Sequence, residues 1–249
     1  MSDLKGKTAI VTGASSGIGR ATAVALAARG ARVALIGRRK EALDSVASEI
    51  GGAAIGFVAD VGKEEEATLA VRGAWDALGG VDYLVHAAGI ITPARLEALT
   101  ASLWRQHIDV NLNGAFYIMR ECALRMRERG SGSIAAIASD LSFKGLEYYA
   151  HYCASKAGLA GLTKAMALEL APIVRVNSVC PGPVDTPMME SELKWFGGTD
   201  DVRQGAVSQV PLKRFASPEE IAKFAVFVAV DATFATGAML SVDGGTTAR

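Results

Sequence analysis

The chain lacks several features that would place it in other protein classes. It has three cysteines in 249 residues, Cys122, Cys153 and Cys180, odd in number and far apart. Neither a disulfide framework nor a C-x-x-C metal knuckle can be built from them. Neither sign of charge dominates, because 26 Lys plus Arg balance 26 Asp plus Glu. The bulk attraction that recruits nucleic acid or an acidic membrane is therefore missing. Long apolar runs are missing too. The most hydrophobic late stretch, FAVFVAV at 224–230, sits between Lys223 and Asp231. It falls far short of the ~20 residues a bilayer span needs. The opening MSDLKGKTAI places Lys5 and Lys7 where a signal peptide needs its apolar core. These absences predict a soluble, cytoplasmic protein with no metal, no nucleic-acid partner and no membrane partner.

Half of the residues are hydrophobic and 27 are glycine, a composition suited to a well-buried globular domain. Short apolar runs recur from the start: TAIVTG, ARVALIG, AAIGFVAD, VDYLVHAAG, GSIAAIAS, VRVNSVCPG and AMLSVDGG. Unbroken hydrophobicity of this kind marks strands covered on both faces. Helical patterns fall between them at 17–29, 39–50, 63–78, 101–129, 149–170 and 217–230. The alternation predicts an α/β fold with about seven parallel strands between helical layers. No linker divides the chain, so residues 1–249 are expected to form one domain. The stretch 181–216 reads as irregular, with Pro181, Pro183, Pro187 and the pair Gly197-Gly198. A long insertion of this kind is usually functional, and 187–212 is the candidate substrate lid.

The first strand runs into TGASSGIG at 12–19 and then directly into a helix. Gly13, Gly17 and Gly19 permit a tight turn and close approach of the backbone to a pyrophosphate, flanked by Ser15, Ser16 and Ile18. Free N–H groups at the helix start favour the anion. A nucleoside-triphosphate loop is excluded, because no Lys-Ser or Lys-Thr pair follows the last glycine. The second strand distinguishes the dinucleotides. An NAD site places a carboxylate at its end, about 20 residues past the loop. Here Gly37 is followed by Arg38 and Arg39. A guanidinium pairs with a 2′-phosphate through two parallel hydrogen bonds. NADP(H) is preferred, with Arg38 as the leading contact; NAD(H) stays open, as does a plain pair of solvated arginines. Asp60 and Val61, closing the third strand, meet the adenine edge or cap the following helix.

At 152–156 stands YCASK, in which Tyr152 and Lys156 share one helical face. For an isolated Y-x-x-x-K the plain reading is a half-buried tyrosine beside a snorkelling lysine. The accompanying motifs change that reading. TGASSGIG, HAAG at 86–89, NLNG at 111–114, IAS at 137–139, YCASK and PGPVDTPM at 181–188 occur in order, with Ser139 thirteen residues before Tyr152. Together they resemble the short-chain dehydrogenase/reductase family over nearly the whole chain.

The resemblance implies a Rossmann-like, doubly wound sheet in a three-layer α/β/α sandwich. It implies an oxidoreductase interconverting a small-molecule ketone and a secondary alcohol, in a homo-oligomer, tetramer or dimer. The family's tetrad falls on Asn111, Ser139, Tyr152 and Lys156. Tyr152 is then the general acid or base, and the Lys156 ammonium is expected to lower its pKa from about 10. Lys156 also holds the nicotinamide ribose, Ser139 the substrate oxygen, and Asn111 a water that relays protons. Ala88 and Gly89 lie against the cofactor, Pro181 and Gly182 run beside the nicotinamide, and Val184 and Thr186 bond its carboxamide. Tyr148 and Tyr149 read as pocket wall or surface. The chain departs from the family where His86 and Ala87 replace two asparagines, and His86 reads as structural. A dinucleotide-binding regulator without turnover is the alternative from a different class.

Overall fold

The structure is a computed structural model describing residues 3–248. Its centre is β1, Thr8–Thr12, whose five residues TAIVT are all buried. Beyond it the chain alternates as α1 Gly17–Ala28, β2 Arg32–Gly37, α2 Lys40–Ile50, β3 Ala54–Val58, α3 Glu64–Leu78 and β4 Tyr83–His86. It continues through α4 Ala101–Ile108, α5 Gly114–Arg129, β5 Gly132–Ile137, α6 Ala150–Leu170 and β6 Val174–Pro181. Three further helices, α7 Pro187–Trp195, α8 Asp200–Gln209 and α9 Pro218–Val226, precede β7 Met239–Val242. The strands form one parallel sheet in the order β3-β2-β1-β4-β5-β6-β7.

Period-two alternation divides the core between the two faces. Ile10, Ile36, Leu84 and Ile134 pack with Val71, Ile118 and Leu159 on one side. Their sequence neighbours Val11, Leu35, Val85 and Ala135 pack with Leu26, Leu43 and Ile221 on the other. β2 and β4 flank β1, so the sheet's order reverses there. A crevice opens at the carboxyl ends of the strands at such a switch point. No helix among the described residues is long and apolar enough to cross a membrane.

The structure corrects three expectations. First, cover on both faces fails at the sheet edges: Ile55 and Val58 of β3 are exposed and β7 is only partly buried. Second, the helix expected over 101–129 is interrupted by a π-helical turn at Asp109–Asn113. Such turns often mark functional positions, and this one carries Asn111. Gly114, directly after it, has no room for a side chain, since a Cβ would lie 2.8 Å from the Val61 carbonyl oxygen. Third, 181–216 is not irregular, because α7 and α8 occupy most of it. The Thr186 and Thr199 hydroxyls accept from the N–H groups of Met189 and Val202, each at 3.3 Å. Pro187 stands in the first turn of α7, and Asp200 and Asp201 in that of α8, where helix starts favour them. Gly197 and Gly198, both at positive φ, turn the chain between the two helices.

Candidate active site

A cleft of about 920 Å³, open to solvent, runs along the switch point. Its floor requires glycine. A Cβ on Gly13, at φ +64°, would lie 2.8 Å from the backbone of Ala87 and Ala88, and one on Gly19 would overlap the Gly13 carbonyl. Ser16 caps α1 without a side-chain hydrogen bond, so the first N–H groups of α1 stay open toward the cleft. Thr12 stitches the far wall: its Oγ1 accepts the N–H groups of Ala87 and Ala88 at 3.1 and 3.2 Å. Gly13, Ser15, Ser16, Gly17, Ile18, Gly19, Arg38, Arg39, Asp60, Val61, Ala88, Gly89 and Thr186 all line the cleft. Gly37, Ala59, Ala87, Ile90, Val110, Pro187 and Met188 line it too. They carry no side-chain chemistry that would have marked them in the sequence.

At the end of β2 both arginines line the cleft, and they differ in their bonds. Arg39, not Arg38, reaches the glycine loop, donating to Ser15 Oγ at 3.0 Å and Ser16 Oγ at 3.1 Å. Arg39 is the N-cap residue of α2 with extended backbone, which turns its side chain back over the loop. Asp60 Oδ1 accepts the Gly62 N–H at 3.0 Å, which fixes the turn after β3.

Behind Gly89 lie the tetrad residues. A Cβ on Gly89 would meet Asn111 Oδ1 at 3.4 Å and Lys156 Nζ at 3.7 Å, so the absent side chain is the aperture between cleft and tetrad. Tyr152 and Lys156 are 8% and 4% exposed, one turn apart on α6, with Nζ 5.6 Å from the ring centre. Lys156 donates to the Ile137 carbonyl at 2.8 Å. Ser139, beside Tyr152, donates to Asp140 Oδ1 at 3.0 Å and accepts the Leu141 N–H at 3.1 Å. Asp140 in turn holds Lys144 at 2.9 Å and the Thr246 hydroxyl at 2.8 Å. The Asn111 side chain clips the Ile90 backbone, accepting from its N–H at 2.8 Å and donating to its carbonyl at 3.0 Å. It also donates to Ser155 Oγ at 3.2 Å.

The electrostatics correct one expectation. Burial raises the Tyr152 phenol above its ordinary value, and the Ser139 hydroxyl offsets this only in part. Burial also lowers the Lys156 ammonium to about 8. Desolvation of this kind favours the neutral phenol.

Pro181, Gly182 and Val184 lie outside the cleft surface, as do Tyr152 and Lys156. Gly182 is pinned to β7, where a Cβ would lie 2.6 Å from the Asp243 carbonyl oxygen. The bridge from Val184 to Ala216 uses the Asp185 N–H and the Pro183 carbonyl, which leaves the Val184 N–H out of it. Thr186 Oγ1 caps α7 and bonds the Val184 carbonyl at 3.3 Å. His86 is buried, with Nδ1 3.0 Å from Thr12 Oγ1 and its pKa lowered by burial to about 3. It is a neutral strand-end residue, in keeping with the structural reading. Tyr149 differs from its neighbour Tyr148. It is buried and donates to Glu192 on α7 at 2.5 Å. Nothing in the sequence pairs these two residues, which are 43 positions apart. Among the described residues no group of three or more His, Cys, Asp or Glu could hold a metal ion.

The chain is similar to known proteins over nearly its whole length. A family model described as enoyl-(acyl carrier protein) reductase matches residues 13–247. D-threitol dehydrogenase of Mycolicibacterium smegmatis is 38% identical over 99% of this chain and 95% of its own. The 3-oxoacyl-[acyl-carrier-protein] reductase of Thermotoga maritima is 36% identical over 97% of this chain and 98% of its own. A structure of actinorhodin polyketide ketoreductase with NADPH superposes with a TM-score of 0.93 at 34% identity, covering 98% of both chains. The chain belongs to the short-chain dehydrogenase/reductase family. It is an NAD(P)-dependent oxidoreductase, which leaves the alternative of a regulator without turnover unsupported.

Proposed function

We propose that the protein is an NADP(H)-dependent enzyme interconverting a ketone and a secondary alcohol, with Tyr152 as general acid and base. The observation that carries this is that Lys156 and Asn111 lie directly behind Gly89, with the Tyr152 ring centre 5.6 Å from Lys156 Nζ, at the inner end of a cleft floored by obligatory glycines. The cleft fits a dinucleotide: the open N-terminus of α1 suits a pyrophosphate, and Arg39, Arg38 and the Ser15 and Ser16 hydroxyls suit a 2′-phosphate. No carboxylate follows β2 to oppose that phosphate. At the far end the Val184 N–H is the better carboxamide donor, since the Thr186 hydroxyl already donates to the Val184 carbonyl.

A nicotinamide dinucleotide held by the glycine loop, Arg38 and Arg39 would supply the hydride chemistry at the alcohol or carbonyl carbon. Tyr152 handles the accompanying proton. In reduction its phenol, kept neutral by burial, donates to the carbonyl oxygen. In oxidation it must lose its proton first, and the Lys156 ammonium favours the phenolate. Ser139 steadies the substrate oxygen. Asn111, by clipping Ile90, holds the wall opposite Lys156 and keeps a path open for proton exchange. α7 and α8 form the substrate lid. A homo-oligomer, tetramer or dimer, follows from apolar side chains left bare on the helical layers and beside β7: Leu168 is 84% exposed, and Phe227 and Phe234 are exposed as well. Light scattering on the purified protein checks this.

The functional reading is tested by a spectrophotometric screen of ketones and secondary alcohols with both nucleotides. Turnover with NADPH exceeding that with NADH is expected. Equal use of NADH would favour the NAD(H) enzyme, and no turnover of any substrate would contradict the reading.

A further inference from the structure

A partly buried carboxylate on α7 has one oxygen with no protein partner among the described residues. Met188, Glu192 and Trp195 are spaced i, i+4 and i+7 along α7, so they share a face. Met188 borders the nucleotide cleft and Trp195 packs on Tyr148 with ring centres 5.6 Å apart. Glu192, between them, therefore overhangs the segment from Tyr148 to Tyr152. Its Oε1 accepts the Tyr149 hydroxyl. Its Oε2 has no hydrogen-bond partner among the described residues. Tyr149 and Tyr152 lie in one cluster with Leu141 and the partly buried Ile91 and Cys153. The wall around the carboxylate is otherwise apolar. Asp140, the other acid near Tyr152, is paired with Lys144. The charges and dipoles acting on Glu192 come from Tyr149 and Asp140, with no cation among them, and burial raises its carboxyl above the usual range.

We propose that Glu192 reads a hydroxyl group on the substrate next to the reacting carbon. The enzyme then prefers neutral diols and hydroxyketones over matched mono-alcohols, and rejects analogues carrying a carboxylate at that place. A substrate O–H completes the idle acceptor by a charge-assisted bond. A carboxylate there meets like charge, while the buried Lys156 beneath works against a second cation. The proposal rests on the reading of Tyr152 as the proton-transfer residue.

The test compares cyclohexanol, cis-cyclohexane-1,2-diol and 2-hydroxycyclohexanecarboxylate as substrates with NADP+, in wild type, Glu192→Gln and Glu192→Leu. NADPH affinity, measured alongside, reports on folding. Wild type is expected to favour the diol over cyclohexanol by about tenfold or more in kcat/KM, the worth of one charge-assisted hydrogen bond. Both variants are expected to reduce that ratio by about tenfold, and to raise the carboxylate relative to cyclohexanol. A wild-type ratio near one overturns the proposal, and so does a ratio that both variants preserve. If Tyr152→Phe is inactive in those cases, the functional reading survives alone. Full activity of Tyr152→Phe, or no turnover of any of the three by wild type, overturns both.

Discussion

The glycine loop at 12–19 and the α7–α8 segment face each other across the cleft. A Cβ on Gly17 would stop 3.2 Å from Thr186 Cγ2. The two sides are held by opposite means. The loop is fixed by backbone against backbone: Gly13 on Ala87 and Ala88, Gly19 on Gly13. The α7–α8 segment is held by side chains. Tyr149 bonds Glu192, Arg203 bonds Asp185 at 2.7 Å, and Tyr148 packs among Trp195 and Phe196 with ring centres 5.6 and 5.9 Å away. Backbone contacts of this kind admit one residue type, whereas side-chain contacts can be exchanged for others of similar shape. The glycine loop is thus the half of the cleft that tolerates least substitution, and the α7–α8 segment the half whose contacts can be exchanged.

The largest effect expected from this contrast is at Gly13. Gly13→Val adds a branched side chain at positive φ against fixed backbone and should cost about 3 kcal/mol or more by chemical denaturation. A loss under about 1 kcal/mol would show that the loop yields as readily as the lid. Next comes nucleotide choice. Arg39→Ala should weaken NADPH binding by about ten- to a hundredfold and leave NADH nearly unchanged, with Arg38→Ala doing less. Equal losses for both nucleotides would assign Arg39 to the loop's structure alone.

Lys156 gives a smaller effect of opposite sign. Its folded pKa, about 8, lies below the unfolded value of about 10.4. Between those limits the unfolded chain holds the proton and the folded chain does not, so stability rises with pH. Below about 8 the full desolvation penalty persists. Lys156→Met should therefore abolish turnover yet stabilise the unliganded protein at pH 7 by roughly 1–2 kcal/mol, about 2–8 °C in Tm. A lower Tm would mean that the bond to Ile137 outweighs burial. Smallest is Trp195→Ala on the lid, expected to cost about 1 kcal/mol or less in stability while raising KM for substrate. An unchanged KM would remove Trp195 from the pocket.

The same contrast explains what the sequence disclosed. Fold and loop were legible because their determinants are local: apolar runs of strand length, glycines at fixed spacing, helix starts such as Ser217-Pro218. The break of 101–129 at the π turn was not, since Asp109–Asn113 reads as ordinary helix. Its cause is packing around Gly114 against Val61, over fifty residues away. The bonds from Arg39 to Ser15 and Ser16 were not legible, because the entry geometry of α2 sets them and no motif encodes it. Tyr149 and Glu192 escaped notice for the same reason, their partnership being made only by the tertiary fold. The Tyr152 pKa ran opposite to expectation because helical spacing reports proximity to Lys156 but not burial.

The central claim is that Tyr152 passes the proton while the cleft holds the nucleotide, and Tyr152→Phe tests it most directly. With NADPH affinity and Tm unchanged, reduction of an accepted ketone, followed by loss of the reduced-nicotinamide absorbance, should fall by about 10²–10⁴-fold. Reduction at the wild-type rate by that variant would contradict the account.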